Sequence, residues 1–172
     1  LCFITFLKRN DEVYSAIQKG FLTVLLMIAG IEVLSVITGT NPYTYANKSL
    51  GILGWFATTN AQSAVLTMIV PVVIMGAIQK NTKRIWTQLF VCALGFGMLF
   101  FFGTRLSFLA IFATAIGLAF TVMVTDRQKK RSIAVLLVCA AVCVGCFPHS
   151  PMYQNQLRVA ENAQIKQEMI DT

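Results

Sequence analysis

Long apolar runs separated by short charged links make up most of the chain, and their lengths point to an architecture. A helix needs about 20 predominantly apolar residues to cross the hydrocarbon core of a bilayer. Runs close to that length occupy residues 21–39, 61–79, 85–102, 106–125 and 132–147. They predict an all-α integral membrane protein with about five transmembrane helices. An earlier apolar run, residues 1–7, reads as the end of a preceding span, because the chain opens inside it at Leu1. The tail, residues 148–172, is polar and closes on no further apolar element. The expectation is therefore a single membrane domain over 1–172, truncated at both ends. The polar link from Lys8 to Gly20 predicts a short amphipathic surface helix.

Composition supports lipid as the solvent. Hydrophobic residues are 56% of the chain, charged residues 12%, and the mean hydropathy is +0.70, more apolar surface than a soluble domain of this size can bury. The net charge of +7 would suggest nucleic acid in a soluble protein, but here the basic residues gather in the links. Lys8, Arg9 and Lys19 lie in the first, Lys80, Lys83 and Arg84 in the second, and Arg127, Lys129, Lys130 and Arg131 in the third. Cytoplasmic loops are enriched in Lys and Arg, so loops 8–20, 80–84 and 126–131 are assigned to the cytoplasm. Residues 40–60, the turn at Gly103–Arg105 and the tail then face outward. Tyr43, Tyr45, Trp55 and Phe56 crowd the first outer loop, where aromatic rings settle at headgroup level.

Arg105 is the strongest candidate for chemistry. The 21-residue step from Arg84 covers roughly 30 Å at about 1.5 Å per residue, which brings Arg105 to the outer boundary at the tip of a helical hairpin. A snorkelling side chain on headgroup phosphates fits this position. So does a guanidinium that holds a lipid diphosphate in bidentate fashion. Asn60, after Thr58 and Thr59, is either a helix N-cap or, with Gln62 and Ser63, part of a polar pocket. Glu32 lies within an apolar span, where a carboxylate is costly and faces a partner or water; a structural acid bonded to a neighbouring helix and a catalytic base are both open. His149, in Phe-Pro-His-Ser-Pro, is the single histidine, a potential base in what reads as a solvated loop. Arg158 stands in a polar, helical outer segment as a second phosphate contact or a surface arginine beside Glu161.

Other features have plainer readings. Pro71 should kink its span, and Gly95 and Gly97 should allow close helix approach. Cys139, Cys143 and Cys146 spell C-x3-C-x2-C, but at lipid depth and without the loop an iron–sulfur cluster requires. Asn47-Lys48-Ser49 is a glycosylation sequon of a kind that arises often by chance.

Taken in order, Gly54-Trp55-Phe56, Asn60-Ala61, Pro71 within a span, a basic turn, and Phe-Gly-Thr104-Arg105-Leu-Ser at the start of the next span resemble the bacterial O-antigen ligase and polymerase superfamily, over residues 50–172. The resemblance implies a partial C-type glycosyltransferase-like bundle in the bacterial cytoplasmic membrane, multi-pass, with no cofactor and no obligatory metal. Its partners would be the lipid bilayer, an undecaprenyl-diphosphate-linked oligosaccharide and a glycan acceptor, with no nucleic acid. By this comparison Arg105 takes the catalytic role of stabilising the diphosphate, and Arg158 and Asn60 bind substrate. His149 stands too early in the chain to be the histidine that ligases of the family use. A non-enzymatic transport or export protein, hinted at by Glu32 and Pro71, is the alternative. A thiol oxidoreductase using Cys143 and Cys146 is the third.

Overall fold

A computed structural model describes residues 11–44, 50–56, 58–80, 85–125 and 130–169. Within these, six α-helices follow one another: α1 (Asp11–Ile37), α2 (Thr59–Lys80), α3 (Ile85–Phe102), α4 (Arg105–Thr125), α5 (Lys130–Gly145) and α6 (Pro151–Glu168), with a 3-10 turn, Phe147–His149, ahead of α6. The protein is an all-α, multi-pass membrane protein. Four of its described helices, α1 to α4, are long and apolar enough to cross a membrane. At 16 residues, α5 is the short member, about 24 Å at 1.5 Å per residue.

Helices occupy the five span-length apolar runs to within two residues of their ends, with one correction to the reading of the links; the run at residues 1–7, read as the end of a preceding span, lies outside the described residues. Residues 11–20 do not form a separate surface helix. They are the first turns of α1, which runs 27 residues without a break. Nothing in that stretch stops a helix: it holds no proline, and Gly20 meets no neighbouring atom within 4 Å. Lys8, Arg9, Tyr45, the Asn47 sequon, Lys83, Arg84, Arg127 and Lys129 lie outside the described residues.

Helix ends are set by local chemistry. Gly39, at φ +66°, closes α1 in a Schellman arrangement, with Thr40 N–H donating to the Ser35 carbonyl at 3.0 Å and Gly39 N–H to Val36 at 3.1 Å. Glycine accepts this left-handed conformation at little steric cost. Thr104 caps α4, its Oγ1 accepting from Ser107 N–H at 3.1 Å. Ser150 caps α6 in the same way through Tyr153 N–H at 3.2 Å, with Pro151 at the first helical position, where a missing N–H costs nothing.

The core is a set of ridges rather than one amphipathic stripe. On α2, Leu66, Val70, Ile74 and Ile78 repeat every four residues and are buried, packing on Val91, Phe96 and Leu99 of α3 and Ile111 and Ala115 of α4. Close approach is built in at Gly95, where an added Cβ would lie 2.9 Å from Val70 Cγ1. Gly97, predicted to do the same, meets nothing within 4 Å. It faces an apolar groove of about 380 Å³ between α3 and α5 instead. The outward faces remain apolar: Met27, Met68, Phe90, Leu109, Ile116, Phe120 and Val138 are exposed, as lipid-facing residues must be when the surrounding medium is hydrocarbon.

Three connections meet at one end of the bundle, called here the loop end. Thr44 Oγ1 donates to the Phe102 carbonyl at 2.8 Å and Ile52 N–H to Phe101 at 3.1 Å, which ties these two residues of the α1–α2 connection to the α3–α4 turn. Pro151 packs on that turn at Gly103. Lys19, Lys130 and Arg131 belong to the opposite end.

Candidate functional site at the loop end

Polar side chains that the membrane would otherwise exclude are concentrated at the loop end. Glu32 of α1 is 4% exposed and Gln62 of α2 6% exposed, and Gln62 Nε2 donates to Glu32 Oε1 at 3.0 Å. Among the described residues Glu32 has no cationic partner. The pair sits under the loop: an added Cβ on Gly54 would lie 3.0 Å from Glu32 Cγ. Close by in sequence, Ser35 Oγ donates to the Glu32 carbonyl at 2.7 Å. Asn41 Oδ1 accepts from Gly54 N–H at 3.1 Å, and the Trp55 indole N–H donates to Thr40 Oγ1 at 2.8 Å. These bonds fix the Gly54-Trp55-Phe56 segment above α1.

From the next residue of α2, three hydroxyls close a small ring. Ser63 Oγ lies 2.9 Å from Thr104 Oγ1 and 3.2 Å from Ser107 Oγ, and the last two are 2.8 Å apart. Ser63 and Ser107 are buried, so each hydroxyl needs the others to offset its desolvation. The ring joins α2 to the start of α4 and sets the position of the next residue, Arg105.

Arg105 is the first residue of α4 and is exposed. A helix N-terminus carries partial positive charge, and acids are the usual complement there. Here the first turn holds none, and a guanidinium adds to the positive field. A groove of about 330 Å³ opens beside it, lined by Arg105, Phe108, Leu109, Phe112, Met152 and Gln156. Its α6 wall is held by tilted ring contacts, with Phe108 to Phe147 centroids 4.8 Å apart and Phe147 to Tyr153 5.0 Å. Among the described residues the result is a cationic rim with no acid in its helix turn above an apolar floor, suited to an anionic head on a lipid tail.

The other sequence candidates divide. Asn60 is the second residue of α2 and exposed; it is not the cap, since the chain enters the helix through Thr58, whose carbonyl accepts from Gln62 N–H at 3.4 Å. Gln62 and Ser63, read with Asn60 as pocket lining, turn inward to Glu32 and Thr104 instead. Arg158 is exposed in the middle of α6. It follows Gln156 by two positions, about 200° around a helix, so Gln156 rather than Arg158 borders the Arg105 groove. His149 is exposed in the 3-10 turn. Cys143 and Cys146 are unpaired, and with Cys139 they line the apolar α3–α5 groove, whose lining holds no base. Among the described residues no group of His, Cys, Asp and Glu side chains is placed to hold a metal.

The sequence signal for the inward set was modest: a glutamate in an apolar run, and a Gln-Ser pair at the start of the next. The partnership of Ser63 with Thr104 and Ser107, more than 40 residues apart in sequence, leaves no local trace.

Helical bundle, buried polar clamps and an exposed cationic helix start define a polytopic membrane protein with a candidate site at one end. The chain belongs to a family described as O-antigen ligase like membrane protein, which it matches over residues 1–171. Membership carries a membrane glycan-processing role and places the chain among ligase- and polymerase-like enzymes that act on lipid-linked glycans. No curated protein and no solved structure matches it.

Proposed function

We propose that this protein is a glycosyltransferase that ligates or polymerises undecaprenyl-diphosphate-linked glycans at the outer face of the bacterial cytoplasmic membrane. The observation that carries the reading is Arg105: an exposed guanidinium at a helix N-terminus that has no acid in its first turn, bordering a groove with an apolar floor. The basic residues Lys19, Lys130 and Arg131, at the end opposite Arg105, support an orientation with the loop end outward.

In this reading the donor diphosphate lies on Arg105 and its isoprenoid chain leaves along the lipid-facing side of α4. An acceptor hydroxyl attacks the anomeric carbon and loses its proton to solvent as the bond to the diphosphate oxygen breaks. Negative charge grows on that leaving oxygen, and a preplaced guanidinium lowers the barrier because it is already oriented when the charge develops. Asn60, exposed on the first turn of α2, is assigned to binding the glycan, and Arg158, exposed on α6 but turned away from the Arg105 groove, to a substrate contact outside that groove.

The test is a deletion strain complemented with wild type or Arg105→Ala at equal membrane abundance. Loss of surface polymer with build-up of the lipid-linked precursor is expected. Unchanged polymer contradicts the assignment and leaves Arg105 a headgroup anchor.

A further inference from the structure

The buried pair of Glu32 and Gln62 does a job that neither Arg105 nor family membership assigns. Gln62 Nε2 donates to Glu32 Oε1 at 3.0 Å, while Gln62 Oε1 is buried and accepts no bond. An orphaned carbonyl in a membrane-embedded interface is expensive. A bare carboxylate beside it compounds the cost, because two electron-rich oxygens then share one dry pocket. Both problems have one solution. A carboxylic acid and a primary amide are complementary in two places: the amide N–H reaches the acid carbonyl, and the acid O–H reaches the amide carbonyl. The first of these bonds is present, and the acceptor for the second is the atom left over.

We propose that Glu32 carries a proton and closes a two-bond acid–amide ring with Gln62, making the pair a proton-binding site that clamps α1 to α2 beneath the loop. The surroundings favour the proton over a metal cation. Among the described residues, Glu32 meets Gln62 from α2, Ser35 from α1 itself on its carbonyl, and Gly54 from the loop. None of these titrates. From Thr59 to Gln79, α2 has no titratable side chain, Tyr14 and Lys19 are at the far end of α1, and Tyr43 and Arg105 are exposed.

The position gives the site its consequence. Its main packing partner for α1 is α2, with Gln18 and Gln79, 3.5 Å apart, bridging the two at the other end. Loss of the proton sets Glu32 and Gln62 oxygens against each other at the loop end of that interface. The loop segment seated on Glu32 through Gly54 then loses its base.

Infrared spectroscopy of the full chain in lipid nanodiscs tests this. The wild type should show a protonated-carboxyl C=O band at neutral pH that shifts in D2O and disappears in Glu32→Gln. Gln62→Leu should keep the band but move it to higher frequency, as an acid that has lost its amide partner must. Glu32→Gln, whose amide N–H can replace the acid O–H, should melt within a few degrees of wild type, and Glu32→Ala well below it. Absence of the band overturns the proposal, as does a band that Gln62→Leu leaves unmoved. A wild-type melting temperature that rises with sodium or calcium concentration, and no longer does so in Glu32→Gln, also overturns it by showing a cation where the proton is placed.

Discussion

Arg105 owes its geometry to a residue that does no chemistry. Thr104 caps α4 and at the same time shares the hydroxyl ring with Ser63 and Ser107, so the guanidinium leaves from a backbone fixed on two sides. Ser63→Ala should cost about 1 kcal/mol of stability, the usual net worth of a buried hydrogen bond, measured by thermal unfolding in detergent. Gly103 is the stricter position. Its φ of +69° and the Pro151 Cβ 2.7 Å from where a methyl would sit leave no room for alanine. Gly103→Ala should lower stability by about 1–3 kcal/mol and displace α6 from the Arg105 groove, while Gly117→Ala, in open space, should be near neutral. At this scale the sequence was half legible. Arg105 announces itself by charge and distance from Arg84, whereas the inward turn of Gln62 and Ser63 depends on which α2 face meets α1 and α4, a fact of packing that no local pattern encodes.

Helices could be read from the chain because the bilayer fixes their length, and α3 occupies residues 85–102 as the apolar run does. The start of α1 could not, because polarity at 11–20 does not interrupt the helix, which runs through it. The two glycines of α3 show the same limit. Either could have been the close-packing residue, and only the position of α2 decides that Gly95 is. Gly95→Ala should therefore destabilise by about 1–3 kcal/mol through overpacking on Val70. Gly97→Ala should be neutral or stabilising by up to about 1 kcal/mol, the helix preference of alanine over glycine. Equal effects in the same unfolding assay would contradict the α2–α3 register. Pro71, expected to kink α2, sits inside a helix that continues on both sides of it.

For the whole molecule, the loop end and the basic end give the chain a direction, and the native cysteines can report it. Cys146 is exposed at the loop end, and Cys92 and Cys139 are buried. In intact cells a membrane-impermeant maleimide should label a variant that keeps Cys146 alone, and fail to label one whose single cysteine is Lys130→Cys until the membrane is opened. The reverse pattern would invert the orientation and remove the site from the outer face. Fold class and family signature were legible in the order of apolar runs and in the Asn60, Pro71 and Arg105 segments. The clamps that hold the site were not, since they join helices through single polar atoms. The central claim is that Arg105 stabilises the departing diphosphate, and steady-state transfer from a purified undecaprenyl-diphosphate-linked donor in nanodiscs tests it most directly. The account predicts that Arg105→Ala lowers kcat and kcat/KM together by about 10²–10³, as loss of a transition-state interaction does, with Arg105→Lys in between. A kcat equal to wild type, with or without a raised KM, would contradict it.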